Sequence, residues 1–507
     1  MSGMNVKEGP RRTSWIALVL AALAVIAVGG CSDSLRQLIY NDSLLCGTEF
    51  QACAPDGGHF DLFIVDRTTY LVANPSIPTF DMAAKPGTSI VGFAFVMVSP
   101  RQDSGVLQVF PDAGIVDYDI MYTEFDTDAG TVPIQPERVQ TVQRFFGVSL
   151  AYQPNGAPAV AYLGGPLQIA GQTFQQAFWF QNDAAIAYRN GAIWTEQVAA
   201  ANSSPPFASP PSPPSDNGTV VGFYPALLFE GNSAVLAYRD GHFAQSAGVG
   251  DWQSSDLEMA TGGPTVWNPV ALLQAGDSKR AYGAHNRIVL GAQTLNAGQQ
   301  GAAVISDRAG TGPDTFGEDV EFSEQQPDGT WKSAGANQPL TIVDTPSIFG
   351  PNGRLTAPNN QAGPAIDYRA NFGYAVGFTN RSSTGAFFTT CAAGSDCTVP
   401  GNWDTPDPVF QQGTGGWYVS VAISPAGDPS VAYYVCSKQT GRNENTCTAD
   451  DYLVVTNRGL SQIWSDHELV VDTGPVFQTR MLFLGNQRVI GYRNGASGVL
   501  QIAVEKP

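Results

Sequence analysis

The chain has 507 residues, 43% of them apolar and 10% aromatic, with only 14% charged and with 55 Gly and 35 Pro. Such a chain is globular, and so few charges among so many turn formers argue against long helices with charged outer faces and for an all-β fold. A formal charge of −19 argues against a nucleic-acid partner, because neutralising phosphates takes a surplus of Lys and Arg.

At the amino terminus Lys7, Arg11 and Arg12 precede an unbroken apolar run from Trp15 to Gly30 that ends in small residues just before Cys31. Positive, apolar, then small is the order of a secretory signal. The run is short for a membrane span and no comparable stretch follows, so the sequence predicts an exported protein with residues 1–30 as its signal. The tetrad Val28-Gly29-Gly30-Cys31 resembles a bacterial lipobox. The resemblance implies that the Cys31 thiol carries a diacylglycerol, that cleavage falls just before it, and that the new amino terminus is acylated. Several acyl chains hold a protein at a membrane without a span, at about 0.8 kcal/mol per buried CH2. By the sorting rule of enterobacterial lipoproteins, Ser32 in place of Asp implies the outer membrane, on its periplasmic or surface face. Losing residues 1–30 removes Lys7, Arg11, Arg12 and Glu8 and leaves 23 basic and 44 acidic residues, a difference of −21.

Residues 31–58 carry no repeat and read as a lipid-anchored tether with a small clasp. Apart from Cys31 there are six cysteines, an even number that suits an oxidising compartment. They cluster into three local pairs, Cys46 with Cys53, Cys391 with Cys397 and Cys436 with Cys447, which makes local disulfides the leading set. None of His59, His242, His285 and His467 supplies the spacing of a zinc site.

From residue 59 to 507 the chain is a degenerate repeat. Ala177–Gly191, Leu227–Gly241 and Met481–Gly495 align without gaps, and Ala271–His285 keeps their turn and tyrosine. Leu150–Tyr162 and Val421–Tyr433 share the frame P-x-G-x-P-x-V-A-Y, and weaker copies end in Val91-Gly92-Phe93 and Val376-Gly377-Phe378. Each copy reads as a hairpin, an apolar strand, a tight turn and a second strand ending in Tyr or Phe, with Asn-Gly or Asp-Gly following in the best copies as a further turn signal. The strands are almost continuously apolar, so both faces are covered. The step from Tyr162 to Tyr188 is short enough for two hairpins of one sheet, and the long step from Tyr282 to Phe378 leaves room for a diverged copy around Ala302–Trp331. The resulting period of roughly 45 to 70 residues suits the blades of a β-propeller. Seven blades fit best, with six or eight as alternatives and serial β-sandwiches as the main rival. The Pro-rich segment 203–215 is an extended loop inserted in the ring.

The last copy, Pro475–Val504, has room for about three strands. The unassigned run Phe60–Val65 is a β-prone candidate for the fourth, so the sequence predicts that it pairs beside Gly498–Val504 and closes the ring. The whole resembles bacterial propeller lipoproteins whose blades carry P-x-V-A-Y strands, over roughly residues 75–505. That likeness concerns architecture and brings no functional residue with it.

Chemistry is sparse. The hydrolase and nucleotide signatures H-E-x-x-H, G-x-S-x-G and the phosphate-binding glycine loop are missing. Asp328-Gly329-Thr330-Trp331 has the residue types of a sialidase Asp box at the wrong spacing and reads as a plain turn before a packed Trp. Asp126 and Asp128, before Gly130, are candidate Ca2+ ligands in the densest acidic stretch, although a third ligand and a distal Glu are not evident. Arg189, Arg239 and Arg493 recur in the repeat and read as residues serving the repeat, bonding turn carbonyls or covering an aromatic ring. Trp194, Trp252, Trp331 and Trp464 read as blade packing. The expected function is a membrane-tethered, non-catalytic module for a protein or glycan ligand. The alternatives are a glycosidase- or lyase-like propeller enzyme acting on extracellular polysaccharide, and a structural envelope component. At the channel mouth, two or three buried acidic residues with an aromatic platform in a deep pocket would favour the enzyme, whereas a shallow face would favour binding.

Overall fold

The computed structural model of the chain describes residues 59–507 apart from 68–76, 99–117, 143–144, 166–182, 202–219, 242–254, 269, 277–279, 311–317, 333–339, 344–362, 381–384, 411–413, 438–451, 459–463, 465–467, 472–475 and 495–497. Their strands form seven antiparallel sheets, the blades of a propeller. After β1 (Phe60–Asp66), blade I contains β2 (Phe80–Ala84), β3 (Ile90–Val98), β4 (Tyr118–Asp126) and β5 (Thr131–Val142). Blade II contains β6 (Val148–Tyr152), β7 (Pro158–Gly164), β8 (Asp183–Asn190) and β9 (Ile193–Ala200). Blade III contains β10 (Val220–Glu230), β11 (Ser233–Gly241), β12 (Asp256–Gly262) and β13 (Ala271–Gln274). Blade IV contains β14 (Arg280–Thr294), β15 (Gln300–Gly310), β16 (Glu318–Gln325) and β17 (Trp331–Lys332), with β18 (Leu340–Val343) also paired to β16. Blade V contains β19 (Ala365–Arg369), β20 (Gly373–Asn380), β21 (Gly385–Ala392) and β22 (Asp407–Phe410). Blade VI contains β23 (Thr414–Ile423), β24 (Pro429–Ser437), β25 (Tyr452–Asn457) and β26 (Glu468–Val471). Blade VII contains β27 (Val476–Leu484), β28 (Gln487–Asn494) and β29 (Leu500–Glu505), and its fourth strand is β1.

The expected closure is present. β1 runs antiparallel to β29, from Phe60 opposite Glu505 to Asp66 opposite Leu500. The first and last strands of the propeller are thus tied into one blade, and the open edge that a three-stranded blade VII would present is covered.

Burial follows position in the blade. The second strand β7 is buried along its whole length because a neighbouring blade covers each face. The outer strand β5 is half-exposed throughout, and its sequence mixes charges into the apolar pattern. The V-A-Y and V-G-F motifs have a packing cause. Their aromatic residue fills the core shared with the preceding blade, as Tyr162 does among Val96, Ile120 and Tyr122. The small residue before it admits the following blade: a Cβ on Gly491 would sit 2.9 Å from Met82 Sδ, and one on Gly92 would sit 2.1 Å from the Tyr152 hydroxyl.

The aligned segments do not all occupy one place in the blade. Leu227–Gly241 and Met481–Gly495 fall on first and second strands, but Asp183–Asn190 of the Ala177–Gly191 copy is a third strand. Ala271–His285 spans β13 and β14 and therefore bridges two blades rather than forming a hairpin. Third strands share the apolar run and hence the pattern. The tight turns also shift: Glu230 pairs with Ser233 around Gly231, and Leu484 with Gln487 around Gly485, both glycines with positive φ. Asp240-Gly241 continues strand β11, whereas Asn190 does lead into a hairpin, pairing with Ile193. The long step after Tyr282 hides blade IV, whose second strand β15 carries Ser306 in place of the aromatic residue.

Candidate functional site

The seven innermost strands, β2, β6, β10, β14, β19, β23 and β27, line the channel, each with one ladder edge facing it. Side chains from these strands bond that edge. Asp81 Oδ2 accepts from Leu150 N at 3.0 Å, Ser149 Oγ from Leu227 N at 3.1 Å and Ser420 Oγ from Met481 N at 2.8 Å, each across a joint between blades. These bonds place Asp81, Ser149, Ala226, Ser420 and Arg480 at one level, the channel waist. The strand irregularities before Ala226, Ser420 and Arg480 recur before Arg287, which puts Arg287 at the same level of blade IV.

Two residues earlier lies a second level, the mouth. There the backbone is left-handed in six blades: Gly147, Tyr224, His285, Gly363, Tyr418 and Gln478 all have positive φ. For Tyr, His and Gln this conformation is costly, and such strain concentrates where a surrounding structure holds side chains for a purpose. Those four are the only non-Gly residues with positive φ among the described residues. Three are introduced by a glycine two positions before, Gly222, Gly283 and Gly416, each pressed onto the third strand of the preceding blade or the strand beside it.

The mouth residues touch one another around the ring. The Tyr224 and His285 rings lie 4.6 Å apart, and a Cβ on Gly363 would collide with the His285 side chain. Gln478 Oε1 accepts from Thr79 N at 2.7 Å, and the Thr479 hydroxyl donates to the Tyr418 carbonyl. His285 Nδ1 meets Asp307 Oδ2 at 2.8 Å, both side chains being buried, so a carboxylate fixes the imidazole. At the waist, Arg480 Nε donates to Asp81 Oδ1 at 3.1 Å while the Ser149 hydroxyl donates to Asp81 Oδ2 at 3.0 Å. Arg287 Nη1 donates to the Asn286 carbonyl at 2.9 Å. Asp367, two residues on from the waist in blade V, accepts from Ile423 N and Tyr368 N at 2.7 and 2.8 Å. Burial pushes Asp367 above the usual carboxylate range, and these two bonds pull the other way.

Most residues singled out in the sequence lie elsewhere. Asp126 Oδ1 accepts from Ser89 Oγ at 2.9 Å and from Asp128 N at 3.0 Å, which caps the β4–β5 turn, and the Ser89 bond holds its pKa down. Among the described residues no group of three or more His, Cys, Asp or Glu is arranged to hold a metal ion. Asp328 Oδ1 accepts from Thr330 N and Oγ1, the expected plain turn. Cys391 and Cys397 form the expected local disulfide. Cys31, Cys46, Cys53 and Cys447, the Cys436 side chain, Trp252 and the loop 203–215 lie outside the described residues.

Of the repeated arginines, Arg493 is fully buried and donates to the Gly498 and Val96 carbonyls over the Phe95 ring. Arg189 pairs with Glu137 over Tyr122. Both serve the blades, as expected. Trp194 donates to Glu137 and packs edge-on against Tyr122, and Trp464 packs on Phe388. The channel set was missed by sequence reading. Its signal is the frame Gly-x-Tyr/His, in Gly222-Phe223-Tyr224, Gly283-Ala284-His285 and Gly416-Trp417-Tyr418.

No protein-family profile matches the chain, nor does any curated protein sequence. Among solved structures, an α-L-arabinanase of Penicillium chrysogenum complexed with arabinobiose aligns at 11% identity, covering 88% of this chain and 98% of its own, with a TM-score of 0.40. A sialidase of Trypanosoma rangeli aligns at 11% identity over 75% of this chain and 56% of its own, with a TM-score of 0.34. A point mutant of the NanB sialidase of Streptococcus pneumoniae aligns at 9% identity over 87% of this chain and 70% of its own, with a TM-score of 0.41. These likenesses carry no argument about what this chain does.

Proposed function

We propose that the protein is an exported, lipid-anchored propeller that binds a protein or glycan ligand at its channel mouth without transforming it. The observation that carries this reading is the state of the channel carboxylates. Asp81, Asp307 and Asp367 each accept bonds from protein groups that fix the wall or the mouth, whereas glycoside hydrolysis asks for two carboxyl groups turned to the substrate. The strained ring of Tyr224, His285, Tyr418 and Gln478 supplies preorganised contact groups of varied chemistry, as a site on a repeated scaffold requires. A catalytic second reading is favoured by the Asp307-oriented His285, which is how a general base is held.

The test uses the full-length protein in detergent on a glycan array, beside hydrolysis assays on the same glycans. Retention of a defined glycan set, lost in His285→Ala and without turnover, is the expected result. Turnover abolished by Asp307→Asn would replace the binding reading with the catalytic one. For the anchor, Cys31→Ala should abolish palmitate labelling and detergent-phase partitioning, and an unchanged partition would remove it.

A further inference from the structure

The first and third strands of each blade run from the channel mouth to the opposite, far face. That face therefore carries the first-to-second connections and, in blades I to VI, the third-to-fourth ones. Blade VII uses it differently. Phe60 of β1 pairs with Glu505 at the far end of β29, and Lys506 N donates to the His59 carbonyl at 2.7 Å. The polypeptide that carries residues 1–58 thus joins the propeller on the face away from the mouth.

Exposed large apolar residues favour the same face. Among the described residues they are Leu62, Ile64, Ile193, Val266, Leu290 and Val399. Leu62 and Ile64 lie on the outer strand β1, and Leu290 lies in the far half of β14. Ile193, Val266 and Val399 share one place in the repeat, the third-to-fourth connection of blades II, III and V or the residue that ends it, and the first two are each 69% exposed. Single exposed apolar residues are ordinary, but recurrence at one place of the repeat on one face forms a rim. A tryptophan stands behind each, Trp194 opposite Arg189, Trp267 opposite Gly262 and Trp403 opposite Cys391. Indoles, apolar in body and polar at the tip, suit the boundary zone of a bilayer.

Resting on the reading of the protein as lipid-anchored at Cys31, we propose that the rim of Ile193, Val266 and Val399 docks into the headgroup–acyl boundary of a bilayer, which turns the channel mouth away from the membrane. Residues 32–58 have a contour length of roughly 90 Å, so the anchor alone does not select a face. The apolar rim does. The anchor makes the contact intramolecular, and at the effective concentration that a tether sets, a few apolar side chains suffice where they would not hold from solution. The described lysines, Lys85, Lys332 and Lys506, all lie on the far face and are paired with Glu124, Asp396 and Asp61. Asp126 and Asp328 cap turns there as well, so the face draws on apolar contact with zwitterionic lipid rather than on attraction to anionic headgroups.

The test uses the full-length protein reconstituted in phosphatidylcholine vesicles doped with a phosphatidylcholine whose acyl chain is photoactivatable. Flotation reads the anchor, and mass-spectrometric mapping of the cross-links reads the face. Cross-links should concentrate in 191–193, 263–267 and 398–402, spare 222–224 and 283–285 at the mouth, and need no phosphatidylglycerol. The triple variant Ile193→Asp, Val266→Asp and Val399→Asp alters exposed positions, so it should keep the urea midpoint and still float through Cys31. Its cross-linking at the three connections should fall about fivefold or more, because a carboxylate resists entry into the acyl region. Should the triple variant lose its fold, Val266→Asp alone gives the same reading at 263–267. Floating protein cross-linked at the mouth, on both faces alike or nowhere would overturn the proposal while leaving the anchor, and so would cross-linking that ignores the substitutions or requires phosphatidylglycerol. Protein that does not float would remove the anchor and the proposal together. A dimer seen by light scattering in detergent and lost in the triple variant would assign the rim to a second copy of the chain and overturn the proposal.

Discussion

The joint between blades II and III and the joint between blades VII and I do the same structural task with different chemistry. The first is built on its blade II side mostly from alanines, with Ile186 and Tyr188 among them. Ala159, Ala161, Ala184, Ala199 and Ala200 of blade II meet Val221, Leu227 and Leu236 of blade III, and Gly222 lies so close that a Cβ there would be 2.8 Å from Ala184 Cα. The second is built from large residues, Phe80, Phe93, Phe95 and Met82 against Val489, Leu500 and Ile502, and it adds buried polar ties. Thr79 and Gln478, 399 positions apart, are joined through the Thr79 amide and hydroxyl, and Arg493 bonds Thr79, Gly498 and Val96. Blades II and III are close in sequence, with residues 201–219 between them, and close packing with few polar ties, such as Leu227 N to Ser149 Oγ, joins them. The closing joint brings together the ends of the ring, at a loop-closure cost that grows with separation, and directional contacts fix which strands meet and in what register.

The largest effect should come from breaking the closure itself. Deleting residues 59–66 removes the buried Phe60 and Val65 and leaves β29 as an open edge. A cost of more than about 5 kcal/mol and loss of a single unfolding transition are expected in urea, followed by Trp fluorescence. Unchanged cooperativity would mean that the polar ties hold the ring without β1.

Next comes Arg493→Met, which keeps the apolar stem over Phe95 and strips donors from the Thr79 hydroxyl and from two buried carbonyls. We expect a loss of about 3 to 5 kcal/mol. Gly222→Ala probes the other joint. At φ +106° an alanine is strained, and its Cβ meets backbone that has no room to retreat, for about 2 to 3 kcal/mol. Chemical denaturation of both variants ranks the joints, and a larger loss in Gly222→Ala would reverse the comparison.

What was readable in the sequence follows the same division. Blade packing was legible because it repeats: V-A-Y and V-G-F mark second strands in four of the blades, with Leu236-Ala237-Tyr238 and Ile490-Gly491-Tyr492 as variants in blades III and VII, and the stray Phe60–Val65 run identified the closing strand. Blade IV was dimmer because β15 carries Ser306 where its counterparts carry Tyr or Phe. Strand position within a blade was less legible than strand existence, since the third strand β8 carries the same A-Y-R-N-G ending as second strands do. The channel wall was hidden by its own variety. Asp81, Ser149, Ala226, Arg287, Ser420 and Arg480 share a level and no residue type, and only pairing across blades brings Arg287 opposite Arg480. A scaffold repeats because each copy solves one packing problem, whereas a site diverges because each blade contributes a different group.

The smallest expected effect is a slope, and it separates the joints by pH. Glu230 ends β10 beside the hairpin turn of blade III, facing Ala302 and Gln325 of blade IV, and burial pushes its pKa up to about 7 although bonds from those two residues pull it down. Between the ordinary Glu range and about 7 the folded protein holds a proton on Glu230 that the unfolded chain has released, so stability falls as pH rises through that window and is flat above it. Burial also raises Glu324 and Asp367, which act in the same direction, so the informative quantity is the difference between the unaltered protein and Glu230→Gln. Urea midpoints at pH 5, 6, 7 and 8 should decline less steeply in the variant, and parallel profiles would show that Glu230 ionises freely. The residues tying the closing joint, Thr79, Gln478 and Arg493, carry no group that titrates in this window. Raising the pH from about 5 to about 7 should therefore loosen the joint between blades III and IV while the closing joint keeps its strength.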